Sequence, residues 1–123
     1  MKLTLNIHNS DHANMVIPFL KNQVDFDRIH ELTGIRLDQE FDGSFKSIEK
    51  IYLPDNQVIY LLGLGEETDH GRWHIPFRLL AFRESKFWKN GVTIECQHLA
   101  SHVQEAAALG IRMSAYQIGA YKS

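Results

Sequence analysis

The apolar residues of this chain fall into two kinds of pattern, and each predicts its own elements. Residues 58–65, Val-Ile-Tyr-Leu-Leu-Gly-Leu-Gly, form an apolar run stopped by glycines. Because the run lacks the alternation of a half-exposed strand, it predicts a strand covered on both faces. Residues 48–53 do alternate, and Pro54-Asp55-Asn56-Gln57 between the two segments is turn chemistry. Together they predict a β-hairpin whose second arm lies in the middle of a sheet. Residues 2–7 alternate Leu3, Leu5 and Ile7 against Lys2, Thr4 and Asn6, and Asn9-Ser10-Asp11 reads as the turn that follows. Residues 15–20 are a further strand; Pro18 lies within it, and a residue that cannot donate to a ladder predicts a place at or near an edge. Residues 92–95 complete the strands.

Helical spacing appears in three places. Asp25 can cap a short helix in which Phe26, Ile29 and Leu32 share a face and which Gly34 ends. A second helix starts close to Pro76, puts Phe77, Leu80, Ala81 and Trp88 near one face, and is closed by Asn90-Gly91. Ser101 followed by Gln104 has the form of a capping box, and the proline-free segment to Ala120 predicts the third helix. Val103, Ala107, Gly110, Ile111 and Ala115 make one stripe of it; Leu109, Met113, Tyr116 and Ala120 make another. A helix that is apolar on two sides needs two partners, so the second stripe is expected to be deeply buried or to meet something outside this chain. Residues 36–47 and 66–72 are predicted as loops.

The succession of strand, helix and strand from residue 58 to 95 is a βαβ unit and implies a parallel pair beside the antiparallel hairpin. The predicted fold is a three-layer α/β/α sandwich with a mixed β-sheet. At 123 residues, with 44% hydrophobic and 23% charged residues, the chain suits one soluble globular domain spanning 1–123. A net charge of -2 gives no general pull toward nucleic acid or an anionic membrane. For the same reason Arg78, Arg83, Lys86 and Lys89 read as a solvated face rather than a patch for an acidic partner. The single cysteine, Cys96, cannot pair within the chain, and no apolar run approaches a membrane span, so a cytoplasmic location is expected.

The residues that could carry chemistry do not converge on a motif. Gly63-Leu64-Gly65-Glu66-Glu67-Thr68 has the first two glycines of a dinucleotide fingerprint, but Thr68 stands in place of the third and two acids face where phosphate would approach. The alternative it leaves open is a stand-alone module that holds a nucleotide or ADP-ribose at the Gly63-Gly65 strand exit. His98 and His102 have the spacing of two metal ligands on one helical face, with Cys96 nearby, yet a helix starting at Ser101 would separate them. His70 and His74 read as surface residues, and Asp69 with Ser85 gives no arguable triad. Trp73, Phe77, Phe82, Phe87 and Trp88 read as packing residues. No metal or cofactor site is assigned to this chain, and no nucleic acid or membrane partner is expected.

One family likeness does stand out. The strand end Leu-Leu-Gly-Leu-Gly-Glu, the strand Val92-Thr93-Ile94, and the segment from Glu105 through Ala-Ala-Ala-Leu-Gly-Ile-Arg-Met-Ser-Ala-Tyr-Gln-Ile-Gly-Ala-Tyr-Lys resemble the N-terminal domain of the leucyl aminopeptidases, the cytosol aminopeptidase family. Glu105, Gly110, Tyr116, Ile118, Tyr121 and Lys122 stand where that family has a helix leading toward its catalytic domain. The likeness covers residues 48–123; residues 1–47 match in general layout. It implies a macro-domain-like fold and a parent metallo-exopeptidase that removes N-terminal residues from peptides with two divalent metal ions, Zn or Mn, and forms hexamers. The family's metal ligands belong to its catalytic domain, around an Asn-Thr-Asp-Ala-Glu-Gly-Arg segment that does not occur here, so no catalytic or metal residue carries over. The resemblance therefore implies a non-catalytic domain of a longer protein. Its partners would be the C-terminal catalytic domain and further copies of the chain. Leu109, Met113 and Tyr116 would supply the interdomain or oligomer contact.

Overall fold

The computed structural model describes residues 3–5, 14–37, 41–88, 91–95 and 101–122; for residues 3–5, 55, 101 and 114–122 it describes the backbone. Its strands are β1 (Leu3–Leu5), β2 (Asn14–Leu20), β3 (Ile48–Tyr52), β4 (Val58–Gly65) and β5 (Val92–Ile94). Its helices are α1 (Phe26–Thr33), α2 (His74–Glu84) and α3 (Ser101–Lys122). The strands form one mixed sheet in the order β1-β5-β2-β4-β3. All neighbours are parallel except β3, which pairs antiparallel with β4.

The hairpin expected over residues 48–65 is present. Ile48 lies opposite Leu62 and Tyr52 opposite Val58, and a short 3₁₀ turn at Pro54–Asn56 joins the arms, closed by the Leu53 N–H donating to the Gln57 carbonyl at 2.8 Å. From Ile59 to Gly65 every residue of β4 is buried, as a run without alternation requires of a strand flanked on both edges and covered on both faces.

β2 departs from expectation: it lies inside the sheet, between β5 and β4. Proline is tolerated there because β5 is short. The registered pairs with β5 stop at Val16↔Ile94, and the Glu95 N–H reaches the Val16 carbonyl at 2.8 Å. Backbone groups on one side of a strand recur every second residue, so the nitrogen of Pro18 faces the β5 side one step past that last registered pair. With β2 between them, β4 and β5 are parallel but not adjacent. The unit β4-α2-β5 steps over β2, whereas the sequence implied a direct pair.

Side chains alternate across the sheet into two apolar clusters. Val16, Leu20, Tyr60, Leu62, Leu64, Val92 and Ile94 join Trp73, Phe77, Leu80 and Ala81 of the α2 region and Val103, Ala107 and Ile111 of α3. Ile17, Phe19, Ile51, Ile59 and Leu61 join Ile29 of α1 and Phe41. α1 has the predicted ends: the Asp25 carboxylate accepts from the Arg28 N–H at 3.0 Å, and Gly34 closes the helix at φ 74°. Ile29 is its buried residue, while Leu32, predicted to share that face, is 42% exposed. An added Cβ at Gly34 would meet nothing within 4 Å, so Gly34→Ala is expected to cost about 1 kcal/mol through left-handed strain alone, read as a lower urea midpoint.

α2 starts with Pro76 in its first turn, as predicted, but ends at Glu84 instead of near residue 89. A 3₁₀ turn at Ser85–Phe87 then redirects the chain. The redirection carries Trp88 into the first cluster, where its indole N–H donates to the Tyr60 hydroxyl at 3.3 Å and the rings meet edge to face at 5.8 Å. Below it, Lys50 of β3 pairs with Glu84 of α2 at 2.7 Å and lies under the rings of Tyr52, Tyr60 and Phe87. Hydrogen bonding to Glu84, then to Tyr52, raises the Lys50 ammonium pKa above its usual value. Burial raises that of the Tyr60 phenol.

Candidate functional site

The topology marks one place where a ligand site would be sought. After β2 the chain enters α1, whose Ile29 packs with Ile17 and Phe19; after β4 it enters α2, whose Phe77 packs with Tyr60 and Leu62 on the other face. In open α/β sheets the crevice outside two such strand ends is where ligands bind. Gly63 and Gly65 stand at that point.

Here the chain fills the crevice itself. The Lys21 N–H donates to the Gly65 carbonyl at 2.7 Å, Gly65 to Gly43 at 3.0 Å, Gly63 to Ser47 at 2.8 Å, and Lys46 to Gly63 at 3.0 Å. A Cβ on Gly63 would lie 2.0 Å from the Ser44 carbonyl oxygen, and one on Gly65 2.6 Å from an Asp69 carboxylate oxygen. The loop at residues 41–47 is therefore seated against the backbone of β4, and the two glycines give it room. Asp42 holds the loop by accepting from the Ser44 hydroxyl at 2.5 Å and the Ser44 N–H at 2.9 Å. The hydroxyl contact is the leading reason that the Asp42 carboxyl titrates below its usual value.

Residues 66–72, predicted as loop, form a 3₁₀ helix over 67–72 because Asp69 caps it. Its carboxylate accepts from the Glu66 N–H at 2.9 Å and from Arg72 at 2.5 Å. Arg72 first, then the Glu66 N–H, lowers the Asp69 pKa from the ordinary 3.8. A carboxyl depressed in the folded state stabilises above its unfolded pKa and loses that contribution as pH falls through the folded one. Asp69→Asn is therefore expected to lower stability at neutral pH and to flatten its decline below about pH 4, measured as urea midpoints against pH. A parallel decline in both proteins would contradict this role.

The histidines gather partly around Trp73. The His102 ring stacks on the Trp73 indole at 5.1 Å, and His70 approaches His102 at 6.1 Å. His70 Nδ1 is 3.1 Å from the Glu67 carbonyl oxygen. Cys96 and His98 lie outside the described residues, and no group of three or more metal-ligating side chains occurs among the described ones. Asp69 is engaged with Arg72, and Ser85 lies past the C-terminal end of α2. No described helix is long and apolar enough to cross a membrane.

α3 bears its two stripes as predicted over the part whose side chains are described. Val103, Ala107, Gly110 and Ile111 are buried, and an added Cβ on Gly110 would come within 2.3 Å of the His74 carbonyl oxygen, so α3 lies close upon the start of α2. On the other stripe Leu109 is 49% exposed and Met113 is half-buried. The side chains of Tyr116 and Ala120 are outside the described set.

Sequence reading missed a second apolar surface, on α2. Phe82, assigned to packing, is 56% exposed, and Phe87 likewise points outward at 54%. Ile75, Leu79 and Phe82 follow one another at positions i, i+4 and i+7, opposite the buried Phe77, Leu80 and Ala81. With Arg78 and Lys46 they line an open cleft of about 330 Å³. The spacing was visible in the sequence, but the interleaved arginines made this side read as solvated. Comparison with protein-family models, curated proteins and solved structures finds no match for the chain.

Proposed function

We propose that this chain is a non-catalytic, macro-domain-like α/β domain of a leucyl aminopeptidase-like metallopeptidase, and that it works by packing against other protein. The observation that carries the proposal is the half-exposed Leu109 of the long α3, which heads the stripe whose sequence resembles that family's exit helix. Burying such side chains against a partner is favourable, at about 25 cal/mol per Å² of apolar surface removed from water. The mixed sheet, with apolar clusters on both faces and helices contributing to each, suits the three-layer sandwich of the proposal. In this reading the catalytic domain, two divalent metal ions and a hexameric assembly belong to the parent protein, and Leu109, Met113 and Tyr116 meet the catalytic domain or a neighbouring copy.

The Gly63-Gly65 exit takes no part in ligand binding in this proposal, since residues 41–47 occupy the space beside both glycines. The test is turnover of leucine anilide by the purified chain with and without Mn²⁺ or Zn²⁺. Rates equal to the blank are expected; turnover that tracks the protein through purification would overturn the proposal.

A further inference from the structure

We propose that the cleft along α2 is a docking groove for an acidic amphipathic helix of a partner polypeptide. This stands apart from the aminopeptidase-like reading, because it rests on α2 and the loop before β3 alone.

The apolar floor comes first. Ile75, Leu79 and Phe82 lie on one side of α2, over a length of about 10 Å at the helical rise of 1.5 Å per residue. The fully buried residues of α2, Pro76, Phe77, Leu80 and Ala81, lie on the other side, while Ile75 and Leu79 stay partly exposed and Phe82 is exposed. A stripe at i, i+4 and i+7 beside an open cleft matches the way a helix lays its own apolar face into a groove.

Charge then selects the partner. Lys46 and Arg78 line the cleft, and among the described residues no acidic side chain does. Arg83 and Lys86 continue the positive charge along the same segment, both exposed. None of these four cations takes part in an ion pair among the described residues, whereas Lys50 nearby is paired with Glu84. In a chain of net charge -2 this is a local excess of one sign, and carboxylates flanking apolar anchors are its complement. The solvated face predicted from the sequence becomes the rim of this groove.

The test is fluorescence anisotropy with the whole chain and a labelled synthetic helix of about 15 residues, long enough to hold a helical face, bearing leucine and phenylalanine anchors at i, i+4 and i+7 with glutamates between them. A second peptide keeps the anchors and replaces each glutamate by lysine. The acidic peptide is expected to bind at least about tenfold more tightly. Arg78→Glu should reverse that preference, a gain for the lysine peptide that an unfolded variant could not produce. Phe82→Ser should weaken both peptides while leaving the unfolding midpoint in place, because Phe82 is exposed. Equal binding of the two peptides, or indifference to both substitutions, would overturn the proposal. So would displacement of the acidic peptide by a short DNA duplex that binds more tightly, which would make the groove a phosphate-binding face. A dimer that Phe82→Ser converts to monomer would also overturn it, since a second copy would then be the occupant.

Discussion

Trp88→Ala is expected to cost about 3–5 kcal/mol, a large share of the roughly 5–15 kcal/mol that holds a domain together. Trp88 is 1% exposed and fills the space between β4 and the end of α2. Its removal takes away the largest fully buried side chain among the described residues, the edge-to-face contact with Tyr60, and the donor to the Tyr60 hydroxyl. The cavity cannot close easily, because Tyr60 is held in a central strand and Phe77, Leu80 and Ala81 on a helix. Trp88→Phe separates the parts: it keeps most of the apolar volume, loses the indole N–H, and should cost about 1 kcal/mol for the bond plus a smaller cavity contribution. Urea unfolding with unchanged m-values is the measurement. A loss under about 1 kcal/mol for the alanine variant would mean that Trp88 is not seated in the core and that α2 continues as a regular helix past Glu84.

Gly63→Ala is expected to cost about 1–3 kcal/mol or more for a single methyl group. The new carbon would lie 2.0 Å from the Ser44 carbonyl oxygen, 2.2 Å from the Ser47 hydroxyl and 2.7 Å from the Gly43 carbonyl carbon. The hydroxyl can rotate away. The backbone cannot, because the Ser44 carbonyl accepts from the Ser47 N–H at 2.9 Å and the Gly63 N–H donates to the Ser47 carbonyl. Either the loop at residues 41–47 lifts off β4, losing several hydrogen bonds and the burial of Phe41, or the strand deforms. Gly71→Ala supplies the comparison: nothing lies within 4 Å of its added carbon, so its effect should stay within about 0.5 kcal/mol. Equal stability of the two variants would mean that the strand exit is open, and the nucleotide reading would regain its footing.

The elements that were legible in the sequence are those specified by neighbours in the chain. Asp25 and Gly34 bracket α1, Pro54 and Asn56 turn the hairpin, and the run from Val58 marks a strand covered on both faces, because caps, turns and periodicity act over a few residues. What was misread depends on distant partners. Pro18 signals an edge only if the neighbouring strand is long enough to need its N–H, and β5 is three residues long. Trp88 keeps helical spacing with Phe77 and Ala81 but reaches the core by a break after Glu84 that Tyr60 and Lys50 help to anchor.

The candidate sites divide in the same way. Two glycines after an apolar strand look alike whether phosphate or another part of the backbone approaches them, and only the docking of residues 41–47 tells the two apart. Leu109 was found as a second stripe because α3 has few charges to obscure it. Ile75, Leu79 and Phe82 have the same kind of spacing, but Arg78 and Arg83 among them made the face look solvated.

The size of the polypeptide that carries this domain in the cell decides whether it is a structural part of a larger enzyme. An antibody raised against residues 1–123 would be used to blot a denaturing gel of whole-cell lysate. A band several times heavier than 14.2 kDa is the expected result, as a catalytic domain in the same chain requires. A single band at 14.2 kDa would contradict the proposal, leaving the likeness to the aminopeptidases as one of fold alone.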